Sequence, residues 1–404
     1  MSKTPKLRFK EFSGDWEEKK LGELGAFFKG STLSKADLSE DGNPCILYGE
    51  LYTKYIEVIK NVVSKTNLDN SKLVFGKKND VLIPSSGETA IDIATASCLQ
   101  KDDVILGGDL NVFRSNNLNG IFTSYQLNNS KRNEIARLSQ GASVVHVYND
   151  QLKKLRLSVP SIEEQEKIAS FFSLIDDKIS LQGEKLKMLK DYKKGMMQKI
   201  FSRELRFKDD EGRDYPDWED KRLSEVIVER KEKNTGNLRV CSVAVKKGII
   251  DQVEHLGRSF AAKDTSNYNL VKLGDIVYTK SPTGDFPYGI IKQSFLKENV
   301  VVSPLYGVFE PLNFNLGYII HSYFYYKENT NNYLYSIVQK GAKNTINITN
   351  TTFLSKSIKL PIDEEEQSKI AKLINQLDKK IEKEQEKLDS LNEYKKGLLQ
   401  QMFV

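Results

Sequence analysis

The sequence predicts a chain of the α+β class. Two homologous globular domains of mixed α/β character are separated by a long antiparallel two-helix coiled coil, related by a pseudo-twofold axis. The main observation is an internal repeat across the 404 residues, because Leu7-Arg8-Phe9-Lys10 with Trp16 returns as Leu205-Arg206-Phe207-Lys208 with Trp218. A repeat this long in only two copies indicates duplicated domains and not a solenoid.

The second observation is the close match between the ends of the two halves. Glu163 to Phe201 aligns with Glu365 to Phe403, and nearly half of the paired positions are identical. Apolar residues recur at alternating spacings of three and four, which predicts a helical heptad seam. The seam positions are 168, 172, 175, 179, 186, 189, 196 and 200, then 370, 374, 377, 381, 388, 391, 398 and 402. Both copies interrupt the seam at equivalent places, namely Gln182 with Lys193 and Glu384 with Lys395.

A helix with a single apolar stripe needs that stripe to be covered, and the simplest cover is the other copy. The first helix leads from the first domain to the second, so the second helix has to return and the pair is antiparallel. Each helix of about 40 residues would be ~60 Å long. The repeated Leu-Arg-Phe and Trp elements are predicted to pack where each domain holds a helix end.

The stretches between the matched ends are rich in short β-type runs and turn formers. Predicted strands include Asp80–Ile83, Asp103–Leu106, Asp275–Tyr278 and Val300–Val302, and predicted helices include Arg132–Leu138 and Tyr318–Tyr326. The resulting division is a first domain at residues 1–159, a helix at 160–202, a second domain at 203–360 and a C-terminal helix at 361–404.

Composition restricts the functional classes. With 61 basic and 55 acidic residues the net charge is +6, which is compatible with a polyanionic partner without requiring one. Three cysteines without a C-x-x-C pair indicate reduced thiols and no zinc site. No apolar run is long enough to span a bilayer and no signal sequence is evident, so we expect a soluble cytoplasmic protein.

Recognisable catalytic motifs are absent from the sequence. It contains neither a G-x-x-x-x-G-K-[ST] phosphate loop nor a G-x-G-x-x-G turn after a strand. His146, His255 and His321 stand apart from any nucleophile or ligand set and are expected to be surface or core residues. The prediction is therefore a non-catalytic chain without a metal site.

Two related but diverged domains joined by paired helices suit the reading of two half-sites on one duplex. The Glu-Gln-x-x-Ile-Ala pattern around Gln165 and Gln367 and the Tyr-Lys-Lys-Gly endings resemble the specificity (S) subunit of type I restriction-modification systems. The resemblance covers essentially the whole chain. It implies two target-recognition domains, each reading one half of an asymmetric, bipartite double-stranded DNA site.

The resemblance also implies partners. Methyltransferase (M) subunits would dock on the central helices and methylate adenine, and restriction (R) subunits would translocate and cleave DNA. S-adenosylmethionine, ATP and magnesium would be held by those partners, with no cofactor in this chain.

Candidate DNA-binding residues are taken from polar loops in similar places of the two halves, since such side chains bond phosphates and base edges. Arg114 and Asn116 are added because arginine and asparagine pair with guanine and adenine. The set is Lys29, Ser31, Thr32, Ser85, Ser86, Arg114, Asn116 and Ser143 in the first half, and Lys280, Ser281, Thr283, Lys340, Lys343 and Asn344 in the second.

Two other functions remain open from the residues alone. A coiled-coil scaffold with two protein-binding modules would show the same seam. A self-sufficient nuclease or methyltransferase is disfavoured because the cofactor and metal motifs are missing.

Overall fold

A computed structural model describes residues 4–69, 72–139, 144–259, 261–340 and 346–404, with the side chains of 339, 340, 346 and 347 left out. The chain forms two compact units. Unit 1 comprises Met1–Glu184 with Gln385–Val404, and unit 2 comprises Lys185–Glu384. Both long helices cross the boundary between the units, so each unit contains one mixed domain and a part of each helix.

Unit 1 is built from short strands and helices that precede the first long helix. Its strands are β1 Glu17–Lys20, β2 Ala26–Lys29, β3 Leu38–Ser39, β4 Asn43–Ile46, β5 Val58–Ile59, β6 Ser64–Thr66, β7 Phe75–Gly76, β8 Val81–Pro84, β9 Ser86–Gly87, β10 Ser97–Leu99, β11 Val104–Leu106, β12 Leu110–Arg114, β13 Val145–His146 and β14 Arg156–Val159. Its helices are α1 Leu21–Leu24, α2 Glu50–Thr53, α3 Ala90–Ile93, α4 Gly120–Asn128, α5 Arg132–Leu138, α6 Asn149–Leu152 and the start of α7 Ile162–Phe201.

Two five-stranded sheets form the body of unit 1. Their orders are β2-β12-β8-β10-β5 and β3-β6-β4-β11-β7. The central strands are continuous apolar runs, buried on both faces, as is typical of strands enclosed between layers. β1 pairs with β14 just ahead of α7, which joins the two ends of the domain at the start of the helix.

Unit 2 repeats much of this plan. Its strands are β15 Glu219–Arg222, β16 Ile227–Glu229, β17 Cys241–Ala244, β18 Gly248–Asp251, β19 Asn269–Val271, β20 Ile276–Tyr278, β21 Ile291–Gln293, β22 Val300–Val302, β23 Gly307–Pro311, β24 Gln339–Lys340, β25 Ile346–Asn347 and β26 Ser357–Leu360. Its helices are α8 Leu223–Val226, α9 Gln252–Leu256, α10 Phe314–Tyr323, α11 Lys327–Tyr335, α12 Asn350–Leu354 and the start of α13 Glu364–Met402.

The main sheet of unit 2 has the order β16-β23-β20-β21. The strand registers match it to unit 1, because β8 lies between β12 and β10 as β20 lies between β23 and β21. When Val81 is aligned with Ile276, Cys98 corresponds to Gln293 and Phe113 corresponds to Phe309. The duplication predicted from the sequence is thus confirmed at the level of strand pairing.

The two long helices pack antiparallel within each unit. In unit 1 the Phe172 ring near the start of α7 lies 5.9 Å from the Phe403 ring just after the end of α13. In unit 2 Met197 and Ile200 near the end of α7 share a core with Ile370 and Ile374 near the start of α13. The predicted seam residues are buried or half-buried throughout, which confirms the coiled-coil prediction.

The interruptions of the seam are polar contacts between the helices. Lys395 donates to Asp176, with 2.7 Å between Nζ and Oδ1, and Tyr125 of α4 donates to the same carboxylate. Lys193 pairs with Asp378, and Tyr318 of α10 donates to that carboxylate at 2.7 Å. The breaks at Lys193 and Lys395 are therefore each filled by a lysine, aspartate and tyrosine cluster, which fixes the register of the helices.

The repeated Leu-Arg-Phe and Trp elements pack against the helices as predicted. Arg8 forms a two-bond ion pair with the buried Glu164, with both N–O distances at 2.7 Å. Trp16 is buried against Phe122 and Phe403. In unit 2 Arg206 lies 3.5 Å from the buried Glu366, and Trp218 packs edge-on against the Phe201 ring.

One predicted helix is present but has different bounds. The segment Tyr318–Tyr326 was expected to be helical, but α10 begins at Phe314, where the Asn313 side chain accepts from the Leu316 N–H. The helix ends at Tyr323, and Tyr326 is extended because it caps the next helix. An asparagine N-cap and a cap between two adjacent helices decide these bounds, and apolar periodicity does not report either.

Candidate nucleic-acid interface

Two of the predicted loops of unit 1 meet at one end of its main sheet. Lys29 is the last residue of β2 and lies opposite Asn111, which in turn lies opposite Ile83 of β8. Ser85 follows β8 at that same end, where its N–H donates to the Asp109 carbonyl at 2.8 Å. The register alone therefore brings Lys29, Ser85 and Ser86 to a common edge.

The third predicted loop leads to the same place. Ser143 lies outside the described residues, but β13 follows it and pairs with β9, so that His146 lies opposite Ser86. The His146 Nδ1 and the Ser86 hydroxyl are 3.2 Å apart, and the His146 ring stacks on Tyr148. The Lys29 ammonium lies 5.8 Å from the Tyr148 ring centroid. His146 was expected to be structural and Tyr148 was overlooked, because neither belongs to a recognisable motif.

The side chains at this end of the sheet differ in their exposure to solvent. Lys29 and Thr32 are exposed, and Tyr148 is half exposed. Ser31 is buried and donates its hydroxyl to the Leu106 carbonyl at 2.9 Å, while Ser85 is buried. A basic side chain beside an exposed aromatic ring suits contact with phosphates and bases. Lys29 and Tyr148 are therefore the strongest candidates in unit 1.

Arg114 and Asn116 lie at the opposite end of the sheet from Lys29. The Arg114 guanidinium binds the buried Asp80 carboxylate through two bonds of 2.7 and 2.6 Å, and it lies over the Phe28 ring. This hydrogen bonding to Asp80 raises the pKa of Arg114. Asn116 is exposed nearby. The structure thus separates these two residues from the rest of the predicted set and engages Arg114 internally.

Unit 2 preserves the same buried ion pair with a different arginine. Asp275, which matches Asp80, binds Arg230 through two bonds of 2.6 and 2.9 Å. By register Arg230 matches Phe28, and Glu310 matches Arg114. The carboxylate is retained and its arginine has moved to the neighbouring strand. A buried carboxylate needs such a partner, so a structural role explains Arg114.

The second-half candidates Lys280, Ser281 and Thr283 follow β20, just as Ser85 follows β8. Lys280 matches Ser85 by register, is half-buried, and has a φ of 52°. Burial lowers the pKa of Lys280. Gly289 lies so close to this turn that a Cβ at residue 289 would come within 3.1 Å of the backbone nitrogen of Lys280. The Tyr288 and Tyr335 rings next to this turn are 6.4 Å apart, and Tyr335 is largely exposed.

Lys231 is a further basic residue at this end that the sequence interpretation missed. It follows β16 and matches Lys29 of β2, and it is exposed. The signal was present in the sequence, because Leu21, Glu23 and Lys29 recur as Leu223, Glu225 and Lys231 with a constant offset. Lys343 and Asn344 lie outside the described residues, as does the side chain of Lys340.

The described part of the chain contains no group of three or more histidine, cysteine, aspartate or glutamate side chains able to hold a metal ion. Within the same residues, no helix is both long and apolar enough to cross a bilayer. Cys45, Cys98 and Cys241 are buried free thiols.

The chain has two homologous domains, each with basic and aromatic side chains at the matching end of its sheet, and each packed on the paired helices. These are the features of a protein with two related binding domains. The family model for the type I restriction modification DNA specificity domain matches this chain twice, at residues 13–191 and 216–393. The chain therefore belongs to the type I restriction-modification specificity subunit family. Members of this family are specificity subunits and not catalytic ones, in agreement with the sequence prediction.

Two of the similar proteins span nearly the whole chain. The type I restriction enzyme MjaVIII specificity subunit of Methanocaldococcus jannaschii is 24% identical over 97% of this chain and 94% of its own. The putative MjaX specificity subunit of the same organism is 24% identical over 53% of each chain. The S subunit from M. genitalium shares the fold with a TM-score of 0.64 at 16% identity, covering 99% of both chains.

Proposed function

We propose that the chain reads an asymmetric, bipartite sequence on double-stranded DNA, with one half-site for each domain. The observation that supports this most directly is the pair of matched lysines. Lys29 and Lys231 occupy the same exposed position at the same end of two homologous sheets. Around them the loops have diverged, with Ser85 matched by Lys280 and Tyr148 by Thr349. A shared basic position with different neighbours suits a common phosphate contact beside different base contacts.

The proposed partners follow from the family. Adenine methyltransferase subunits would dock on α7 and α13, and restriction subunits would join that complex. S-adenosylmethionine, ATP and magnesium would be bound by those partners. A cytoplasmic location is part of the same proposal.

Replacing the matched lysines should weaken DNA binding without changing the sequence preference. Each phosphate contact adds about 0.9 to the slope of log affinity against log salt and contributes about fivefold in affinity at physiological salt. We expect Lys29→Ala and Lys231→Ala each to lower the affinity of the assembled complex about fivefold and to reduce the slope by about one. Fluorescence anisotropy with a duplex containing the target, measured across a salt series, gives both quantities.

The matched controls are Lys101→Ala and Lys297→Ala, because both lysines are exposed after the opposite ends of the same sheets. Unchanged slopes for the Lys29 and Lys231 variants would exclude these sheet ends as the interface. A complex that shows no linear dependence of log affinity on log salt would favour the protein-binding scaffold instead.

Exchange of one domain tests the bipartite reading directly. Residues 1–159 would be replaced by the corresponding part of a relative, with α7, α13 and the second domain retained. Methylated adenines are then mapped in DNA treated with the assembled complex. One half of the target should change and the other should persist, because the domains have separate cores. Simultaneous change of both halves would contradict the proposal.

A further inference from the structure

The two units differ at the outer edge of the main sheet. In unit 1, β5 pairs with β10 as a fifth strand, and the Cys98 N–H donates to the Glu57 carbonyl at 2.8 Å. The Gln100 N–H donates to Ile59 at 3.0 Å. Within the described residues of unit 2, no strand pairs with the corresponding outer edge of β21.

A histidine takes over one of these hydrogen bonds in unit 2. Gln293 matches Cys98, and its N–H donates to the His321 Nδ1 at 3.1 Å. Burial lowers the pKa of His321, and Lys292 and Lys193 lower it further, so the ring is neutral and can accept. Phe295, which matches Gln100, is 50% exposed and has no backbone partner in the described part of the chain. Beyond His321 the edge is therefore uncovered.

An aromatic groove lies at this uncovered edge. Its floor is formed by Phe295, Phe314 and Tyr318, with the Phe295 ring 6.1 Å from Phe314 and 5.5 Å from Tyr318. Phe314 is 45% exposed. One wall is a stripe of α13 that carries Ser368, Lys372, Asn375 and Lys379.

In unit 1 the corresponding sheet edge is covered by a segment of the chain itself. The segment from Lys54 to Asn61, which includes β5, lines a pocket together with Ser173, Asp177 and Ser180 of α7. Lys60 of this segment forms an ion pair with Asp177. Asp177 matches Lys379 in the helix repeat. The acidic partner of Lys60 in unit 1 is therefore replaced by a lysine in unit 2.

The stripe is net acidic on α7 and net basic on α13. Glu166, Ser170, Ser173 and Asp177 of α7 match Ser368, Lys372, Asn375 and Lys379 of α13. Lys372 and Lys379 are exposed, and neither forms an ion pair with the described residues. An occupant of this groove should therefore carry acidic side chains toward α13 and apolar side chains toward Phe295 and Phe314.

We propose that this groove, bounded by Phe295, Phe314, Tyr318, Lys372 and Lys379, docks an extended acidic and apolar segment of the methyltransferase subunit. The segment takes the place that residues 54–61 occupy in unit 1. The proposal rests on the proposed function, because it assumes that the chain works in a complex with that subunit.

Site-specific cross-linking tests the occupant. The full chain with p-benzoylphenylalanine in place of Phe295 is assembled with purified methyltransferase subunit, irradiated, and digested for mass spectrometry. We expect cross-links to one segment of the methyltransferase subunit that contains aspartate or glutamate. The same probe in place of Gln100, the matching position in unit 1, should give cross-links only within the chain.

Charge reversal then tests the proposed recognition. Lys372→Glu with Lys379→Glu should lower the cross-link yield at least about tenfold, since attraction becomes repulsion. Lys380→Glu, an exposed change beside the stripe, should leave the yield within about twofold. Lack of the cross-link, insensitivity to the double reversal, or a cross-link to a basic segment, to DNA or to a second copy of the chain would each overturn the proposal.

Methylation by the same preparation separates this proposal from the proposed function. If the complex methylates its DNA target but gives no cross-link at Phe295, only the groove is refuted. If the unmodified chain supports no sequence-specific methylation, the proposed function fails, whatever the cross-link shows.

Discussion

Lys395→Met is expected to lower the free energy of unfolding of unit 1 by about 3–5 kcal/mol, because it leaves buried carboxylates without their cation. The Lys395 Nζ lies 2.7 Å from Asp176 and 3.0 Å from Glu57. Asp176 is 8% exposed and also accepts from the Tyr125 hydroxyl at 2.5 Å. Hydrogen exchange of amides in α4 and the first half of α7 measures the local opening energy.

Lys396→Met is the matched control, since Lys396 is the next residue and its side chain is 64% exposed. It should change the opening energy by no more than about 0.5 kcal/mol. Lys193→Met should cost less than Lys395→Met, because the Asp378 side chain facing Lys193 is 40% exposed and partly solvated. Equal effects of Lys395→Met and Lys396→Met would contradict a buried ionic cluster.

The pH dependence of the Lys395 contribution has a definite sign. Burial alone would lower the pKa of Lys395, but Glu57 and Asp176 outweigh it and the pKa is raised. A lysine with a raised folded-state pKa stabilises fully below its unfolded pKa, and the contribution is lost as pH rises through the folded pKa. The difference between wild type and Lys395→Met should therefore persist at neutral pH and shrink in strongly alkaline solution.

Lys292→Met is expected to stabilise unit 2 by about 1–3 kcal/mol at pH 7, because an apolar side chain of similar length removes a buried charge. Lys292 is 3% exposed in β21, and its ammonium lies 4.5 Å from the Tyr325 ring centroid. Burial and the neighbouring Lys193 lower the pKa of Lys292 to about 8, with Asp378 acting in the opposite direction. Hydrogen exchange of β21 and α10 amides measures the gain.

The charged form of Lys292 destabilises the folded state, whereas the charged form of Lys395 stabilises it. The two lysines therefore change the pH dependence of stability in opposite directions. Between about pH 8 and the unfolded pKa near 10.4, the unfolded chain binds more protons than the folded one, so wild-type stability rises with pH. Lys292→Met lacks this slope, and its advantage should decline above about pH 8. An advantage that does not change with pH would show that Lys292 is not buried as a cation. Lys231→Met is the exposed control and should be neutral.

Heptad spacing, the Tyr-Lys-Lys-Gly repeats and the repeated arginine and tryptophan were sufficient to predict both long helices, their antiparallel packing and the elements that hold their ends. These signals are local or repeat at a fixed offset, so a single sequence displays them. The candidate interface was predicted less completely. Lys29 and Ser86 do come together at one sheet end, but Tyr148 was missed because its place there depends on strand pairing. Lys231 was missed although its constant offset from Lys29 is visible in the sequence.

The sequence by itself determined the duplication, the helical seam and the family, since each is encoded in the order and period of residue types. Only the tertiary structure decided how particular side chains are used. Arg114 neutralises the buried Asp80 and Ser31 donates to a backbone carbonyl, although both look like polar loop residues in the sequence. The cause is burial, because strand pairing encloses these groups and a group removed from water must find its partner inside the protein.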